Sequence, residues 1–134
     1  MLIYQNRFSG SLILEELPNN LEYLSVSSNE FSGSICLTAL PYAVVVLLLS
    51  NNHLTGGLDL TALPPGMEQL DVSQNDFAGV TDFRRLPESL IELDVSSNER
   101  LSGELTAKPS TRVPNQGYRV QYTKVILVQP DAPT

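Results

Sequence analysis

The chain has 134 residues, 42% of them apolar, and a formal net charge of −7, which is length for one domain at most and enough apolar content for a modest core. Cys36 is the one cysteine, so no intrachain disulfide can form. So acidic a chain lacks the clustered Lys and Arg that nucleic acid requires of a main partner.

From the first residues a frame sets in. Met1, Ile3, Asn6, Phe8 and Gly10 lead to Leu17-Pro18, and the series returns as Leu24, Val26, Asn29, Phe31, Gly33 and Leu40-Pro41. It returns again as Leu47, Leu49, Asn52, Leu54, Gly56 and Leu63-Pro64, then as Leu70, Val72, Asn75, Phe77, Gly79 and Leu86-Pro87. A fifth round holds Leu93, Val95 and Asn98. Asn6, Asn29, Asn52, Asn75 and Asn98 are each 23 residues apart. A fixed period of roughly 20 to 50 residues marks a stacked solenoid, in which each coil buries its apolar side only against the next.

Within each coil, the apolar residues five and three before the asparagine share one side of a strand. Parallel strands are predicted around residues 2–4, 24–26, 47–49, 70–72 and 93–95, with a sixth near 119–123. Because copies recur in one direction, they pair in parallel through a crossover. That crossover is too broken by Pro and Gly for a long helix. "LTALP", at Leu37 and again at Leu60, predicts a single helical or 3-10 turn stopped by proline. The run Ala43 to Leu49 is a buried strand on this reading, since seven residues fall far short of the ~20 that span a bilayer. The asparagines should be buried, joining backbone groups of their own coil and its neighbour. The glycines that follow them should take a turn that a Cβ disfavours, and the Phe positions should stack as a second spine.

Both ends depart from the frame. Met1 stands in a strand slot, so the first coil lacks the polar cap that terminal repeats normally carry, and this raw edge leaves end-to-end association open. After Asn98 the chain has one residue more than the earlier coils. "VPNQGYRVQYT" then aligns on "LPESLIELDVS" with an offset of 27, placing Val120 on Leu93 and Tyr122 on Val95. Val125 then falls where an asparagine is due, so the ladder should stop. The division is a solenoid over residues 1–108, of about five coils, and a degenerate sixth coil or cap with a Pro-rich tail over 109–134. No targeting segment is visible in the sequence. The compartment stays unassigned, with the cytoplasm slightly favoured and the cell surface allowed if the chain is a fragment.

The repeated "LxxLxVSxN", the spine Phe and the closing Leu-Pro resemble the leucine-rich repeat proteins over residues 1 to about 107. "LPESLIELDVSSN" is similar to the Leu-Pro repeats of bacterial effectors, and "NEFSGSI" to the plant receptor type. In the plant type Pro follows the Ile slot, where this chain has Cys36. The mixture also resembles leucine-rich repeat proteins of unicellular eukaryotes. The resemblance implies an α/β-type repeat solenoid with a parallel sheet on its concave face and short irregular or 3-10 segments on its convex face. It further implies that the concave face binds other molecules, usually proteins.

Catalytic chemistry is not legible. His53, the one histidine, reads as an exposed turn residue, and Cys36 as a small buried apolar residue. No His, Cys or carboxylate cluster has metal-ligand spacing. Glu92, Asp71 and Asp94 gather on one face by register, and read as a solvated acidic patch. Gly56-Gly57 lacks the setting of a phosphate loop. An enzyme is therefore not expected, nor a cofactor or metal. The absence of any Asn-x-Ser/Thr sequon weakens an extracellular receptor reading.

The informative surface is the outer side of the strands. Along the solenoid it carries Tyr4, Tyr23, Ser25, Val46, Leu48, Gln69, Asp71, Glu92 and Asp94, apolar and aromatic first and acidic later. Residues 1–83 carry a net charge of −8 and residues 84–134 a net of +1. Arg119, Gln121 and Thr123 are the expected contribution of the sixth coil. An exposed apolar patch on a soluble protein usually marks an interaction site. The expected function is a non-catalytic module binding another protein through this face. The alternative is a structural spacer or surface-coat segment of a longer repeat protein.

Overall fold

The computed structural model describes residues 1–2, 6–106 and 117–128. In chain order the elements are β1 (Ser9–Ser11), a 3-10 turn (Leu14–Glu16), β2 (Tyr23–Ser25), β3 (Glu30–Gly33), β4 (Val46–Leu48) and β5 (His53–Gly56). There follow β6 (Gln69–Asp71), β7 (Asp76–Val80), β8 (Glu92–Asp94), β9 (Arg100–Thr106), β10 (Tyr118–Arg119) and β11 (Lys124–Val128).

Two parallel sheets run side by side along the solenoid. The first has the order β10-β8-β6-β4-β2 and contains the predicted strands. Its pairs keep the 23-residue frame, Leu24 to Leu47 to Leu70 to Leu93. Each strand begins one residue earlier than predicted. Among the described residues the first coil contributes one bridge to this sheet, Leu2 to Ser25, and Tyr4 lies outside them. The second sheet, β1-β3-β5-β7-β9-β11, lies just past each asparagine and was not foreseen. The two LTALP segments make plain turns at residues 38–39 and 61–62, and each Leu-Pro then opens a turn in which the proline carbonyl accepts the amide three residues on, as Pro41 does from Val44 at 3.1 Å. The only 3-10 segment among the described residues is in the first coil.

The core fills slot by slot. Leu24, Leu47, Leu70 and Leu93 are at most 1% exposed, and Val26, Leu49, Val72 and Val95 line up beside them. The spine slot holds Phe31 half-buried and Leu54 and Phe77 fully buried, whereas Phe8, with no coil on one side, is 54% exposed. The extra residue after Asn98 is absorbed by a turn in which the Leu101 amide donates to the Asn98 carbonyl at 3.0 Å. Leu101 then enters the spine fully buried, opposite Gly79.

Asn6, Asn29, Asn52 and Asn75 are each followed four residues later by a glycine with positive φ, from +83° at Gly33 to +93° at Gly10. The backbone here lies where a Cβ is disfavoured, which explains the repeated glycine.

The sixth coil corrects the sequence alignment. Tyr118 pairs with Leu93 and Arg119 with Asp94, an offset of 25 rather than 27. Tyr118 thus takes the Leu93 slot, Val120 the Val95 slot and Val125 the spine slot, where it is 9% exposed. Thr123, not Val125, stands at the ladder position. The divisions expected within 107–116 and 129–134 fall outside the described residues.

Candidate functional site: the concave face

Of the asparagines in the ladder that shapes this face, Asn29, Asn52, Asn75 and Asn98 are buried, whereas Asn6 in the first coil is exposed. Asn75 Nδ2 donates to the carbonyls of Val72, Ser73 and, one coil back, Leu49, at 3.0 to 3.2 Å, while its Oδ1 accepts the Leu54 amide at 3.0 Å. Asn52 and Asn98 repeat the pattern. One side chain satisfies groups of two coils that no strand ladder reaches. The sequence reading ended the ladder at Asn98, but Thr123 continues it in reduced form. Its hydroxyl donates to the Val120 carbonyl at 2.6 Å and accepts the Val125 amide at 3.0 Å. Thr123 therefore faces inward and does not join Arg119 and Gln121 on the concave surface.

Alternation along each short strand turns one residue inward and two outward. Val46 and Leu48 flank buried Leu47, Gln69 and Asp71 flank Leu70, and Glu92 and Asp94 flank Leu93, every flanking residue being partly exposed. Tyr23 is 41% exposed, but Ser25 is only 4% exposed and offers a partner little. Register sets Tyr23, Val46, Gln69 and Glu92 in one row across the sheet and Ser25, Leu48, Asp71 and Asp94 in the next.

Two open concavities mark this face. One, of about 450 Å³, brings together Leu2, Tyr23, Leu48, Gln69 and Asp71. The other, of about 520 Å³, lies between the fifth and sixth coils and is lined among others by Asp94, Tyr118, Arg119, Gln121 and Tyr122. The sequence pattern could not find the second, because the misplaced register hid Tyr118 and Tyr122.

The carboxylates of this face are held in place. Asp71 Oδ1 accepts both the amide and the hydroxyl of Ser73, and Asp94 Oδ1 does the same with Ser96. Burial pushes the Asp71 carboxyl above its usual range, against the pull of the Ser73 hydrogen bonds; Asp94 adds to the rise and Arg119 opposes it. Arg119, beside Asp94 in register, thus tempers the acidic end. Burial likewise raises the Tyr118 phenol.

The remaining chemical candidates stay apart from this face. His53 is exposed, at the start of β5 rather than in a turn. Cys36 is half-buried rather than buried, with Sγ 3.2 Å from the Thr38 hydroxyl. Among the described residues, no three His, Cys, Asp or Glu side chains converge to hold a metal ion, and no helix is long and apolar enough to cross a membrane.

The family model for the Leucine Rich Repeat matches residues 20–39, the stretch running from β2 through β3 to the turn that follows. This match and the parallel-strand solenoid together fit a leucine-rich repeat protein. Such proteins are in general binding modules for other proteins rather than enzymes. Neither the curated proteins nor the solved structures contain a match to the chain.

Proposed function

We propose that the chain is a non-catalytic interaction module whose concave face binds a partner protein. The observation that carries this reading is the concavity joining Tyr23 and Leu48 to Gln69 and Asp71. Val46 lies beside it, paired with Tyr23 and Gln69. Half-exposed Val and Leu on a strand face lose little on leaving water and gain on contact with an apolar partner. Tyr adds apolar area with a hydroxyl. The partner presents apolar groups beside Lys or Arg, meeting Tyr23, Val46 and Leu48 first and Asp71, Glu92 and Asp94 next. The anchors supply most of the affinity and the carboxylates mainly speed and orient association.

A second contact is proposed at the first coil. Met1, Leu2, Phe8 and Ile13 are each more than half exposed, and they suit end-to-end association.

The test of the concave face is capture from the native source with wild type and with a Tyr23→Ser, Val46→Ser, Leu48→Ser triple variant. Circular dichroism checks that the variant folds. Loss of a partner on substitution, with binding of the wild type weakened by salt, supports the module. A folded variant that keeps every partner gives the lead to the spacer reading.

A further inference from the structure

Among the described residues, the position just before a ladder residue is held in the left-handed backbone region: Ser28, Asn51, Gln74 and Ser97 have φ between +55° and +59°. The second to fifth coils place small or amide side chains there, and Asn51 Nδ2 donates to Ser28 Oγ at 3.1 Å, joining neighbouring coils. The sixth coil instead places Tyr122 at φ +57°, with 79% of its surface exposed. A bulky residue in this region is a genuine outlier. So exposed a ring gains little packing to offset the strain, and such strain concentrates at binding and catalytic sites.

Tyr122 borders the concavity of about 520 Å³ between coils five and six. That volume falls within the ~300–1,000 Å³ of small-molecule sites. Among the described residues its lining contains no aliphatic side chain, so an acyl chain or an apolar protein anchor would find little there to bury against. Asp94 and Arg119 balance one another, which disfavours a ligand of strong charge of either sign. What remains is one exposed aromatic ring, planar groups on Asp94, Arg119 and Gln121, and the hydroxyls of Ser96, Ser97 and Tyr118. A pyranose is the complementary shape: its C–H face lies on an aromatic ring, and its rim of hydroxyls both donates and accepts.

We propose that this cleft binds a neutral pyranose sugar, with Tyr122 as the stacking platform and Asp94, Arg119 and Gln121 holding ring hydroxyls. The cleft shares Asp94 with the proposed protein-binding surface, but Tyr23, Val46 and Leu48 lie outside its lining, so substitutions at those three test the protein-binding reading separately.

The test titrates the 134-residue chain with the methyl glycosides of glucose, galactose and mannose, followed by amide NMR. At least one sugar is expected to shift signals from residues 94–97 and 117–122. Tyr122→Phe keeps the platform and should keep binding. Tyr122→Asn should weaken it by about tenfold or more while the thermal midpoint holds or rises, since Asn accepts the left-handed backbone readily. The proposal is overturned if none of the three sugars shifts these signals. It is equally overturned if folded Tyr122→Asn binds as wild type does, or if only a Lys/Arg-containing peptide moves the signals.

Discussion

At the scale of single residues, hydrogen-bond accounting decides most outcomes. Asn75 makes three donations and one acceptance between two coils. Asn75→Ala should therefore destabilise by about 1–3 kcal/mol, because buried backbone groups lose their partner. Asn6→Ala should cost less, since Asn6 is exposed at the first coil; urea denaturation of both variants checks the order. Thr81 is the opposite case. It stands in the slot filled by Leu12, Ile35, Leu58 and Leu105, and its buried hydroxyl has no hydrogen-bond partner. Thr81→Val keeps the shape and removes the orphan group, so it should stabilise by about 1 kcal/mol, read as a higher denaturation midpoint. Asp71 makes stability depend on pH. Its folded pKa lies above the ordinary 3.8, so the fold binds this proton more tightly than the unfolded chain does. That contribution is fully present below the unfolded pKa and is lost as pH rises through the folded one. Asp71→Asn should thus gain on wild type as pH rises from below 3.8 toward neutrality, in denaturation curves taken at both ends. The ladder asparagines were legible because one residue type recurs at one spacing. The orphan hydroxyl of Thr81 was not, because threonine is ordinary in sequence and only packing shows the slot it fills.

At the scale of elements, the sixth coil shows how a register is chosen. A match of letters favoured an offset of 27, yet the coil sits at 25. The register at 25 buries Val125 and sets Thr123 where its hydroxyl serves two backbone groups of its own coil. Thr123→Val keeps the branched shape and deletes both bonds. It should lower stability by about 1 kcal/mol, with amide exchange in residues 117–128 quickening more than in the central coils. The second sheet was likewise hidden. Its β11 is an apolar run, but its first five strands, three to seven residues long, each hold a glycine and lack a clean apolar alternation. They pair because the ladder and the core hold successive coils one strand spacing apart, ~4.8 Å, and not because of their own propensity.

At the scale of the whole molecule, strand contacts among the described residues join only coils that are neighbours in sequence. Stability is then close to a sum of coil and interface terms, and the ends are the weakest part. The proposed association through the first coil is testable here. Sedimentation of wild type should show concentration-dependent self-association, and a Leu2→Ser, Phe8→Ser variant should remain monomeric under the same conditions; equal behaviour of the two would discard the idea. What the amino-acid order determined by itself is the period, the parallel first sheet, the inward slots and the asparagine ladder. Each of these is a local pattern repeated at fixed spacing, and repetition turns a weak preference into a strong constraint. What only the tertiary structure decided is the second sheet, the sixth-coil register, the burial of Ser25 and the cleft beside Tyr122. These depend on which backbone groups and side chains of different coils meet, and that sum over many contacts is written in no single stretch of sequence.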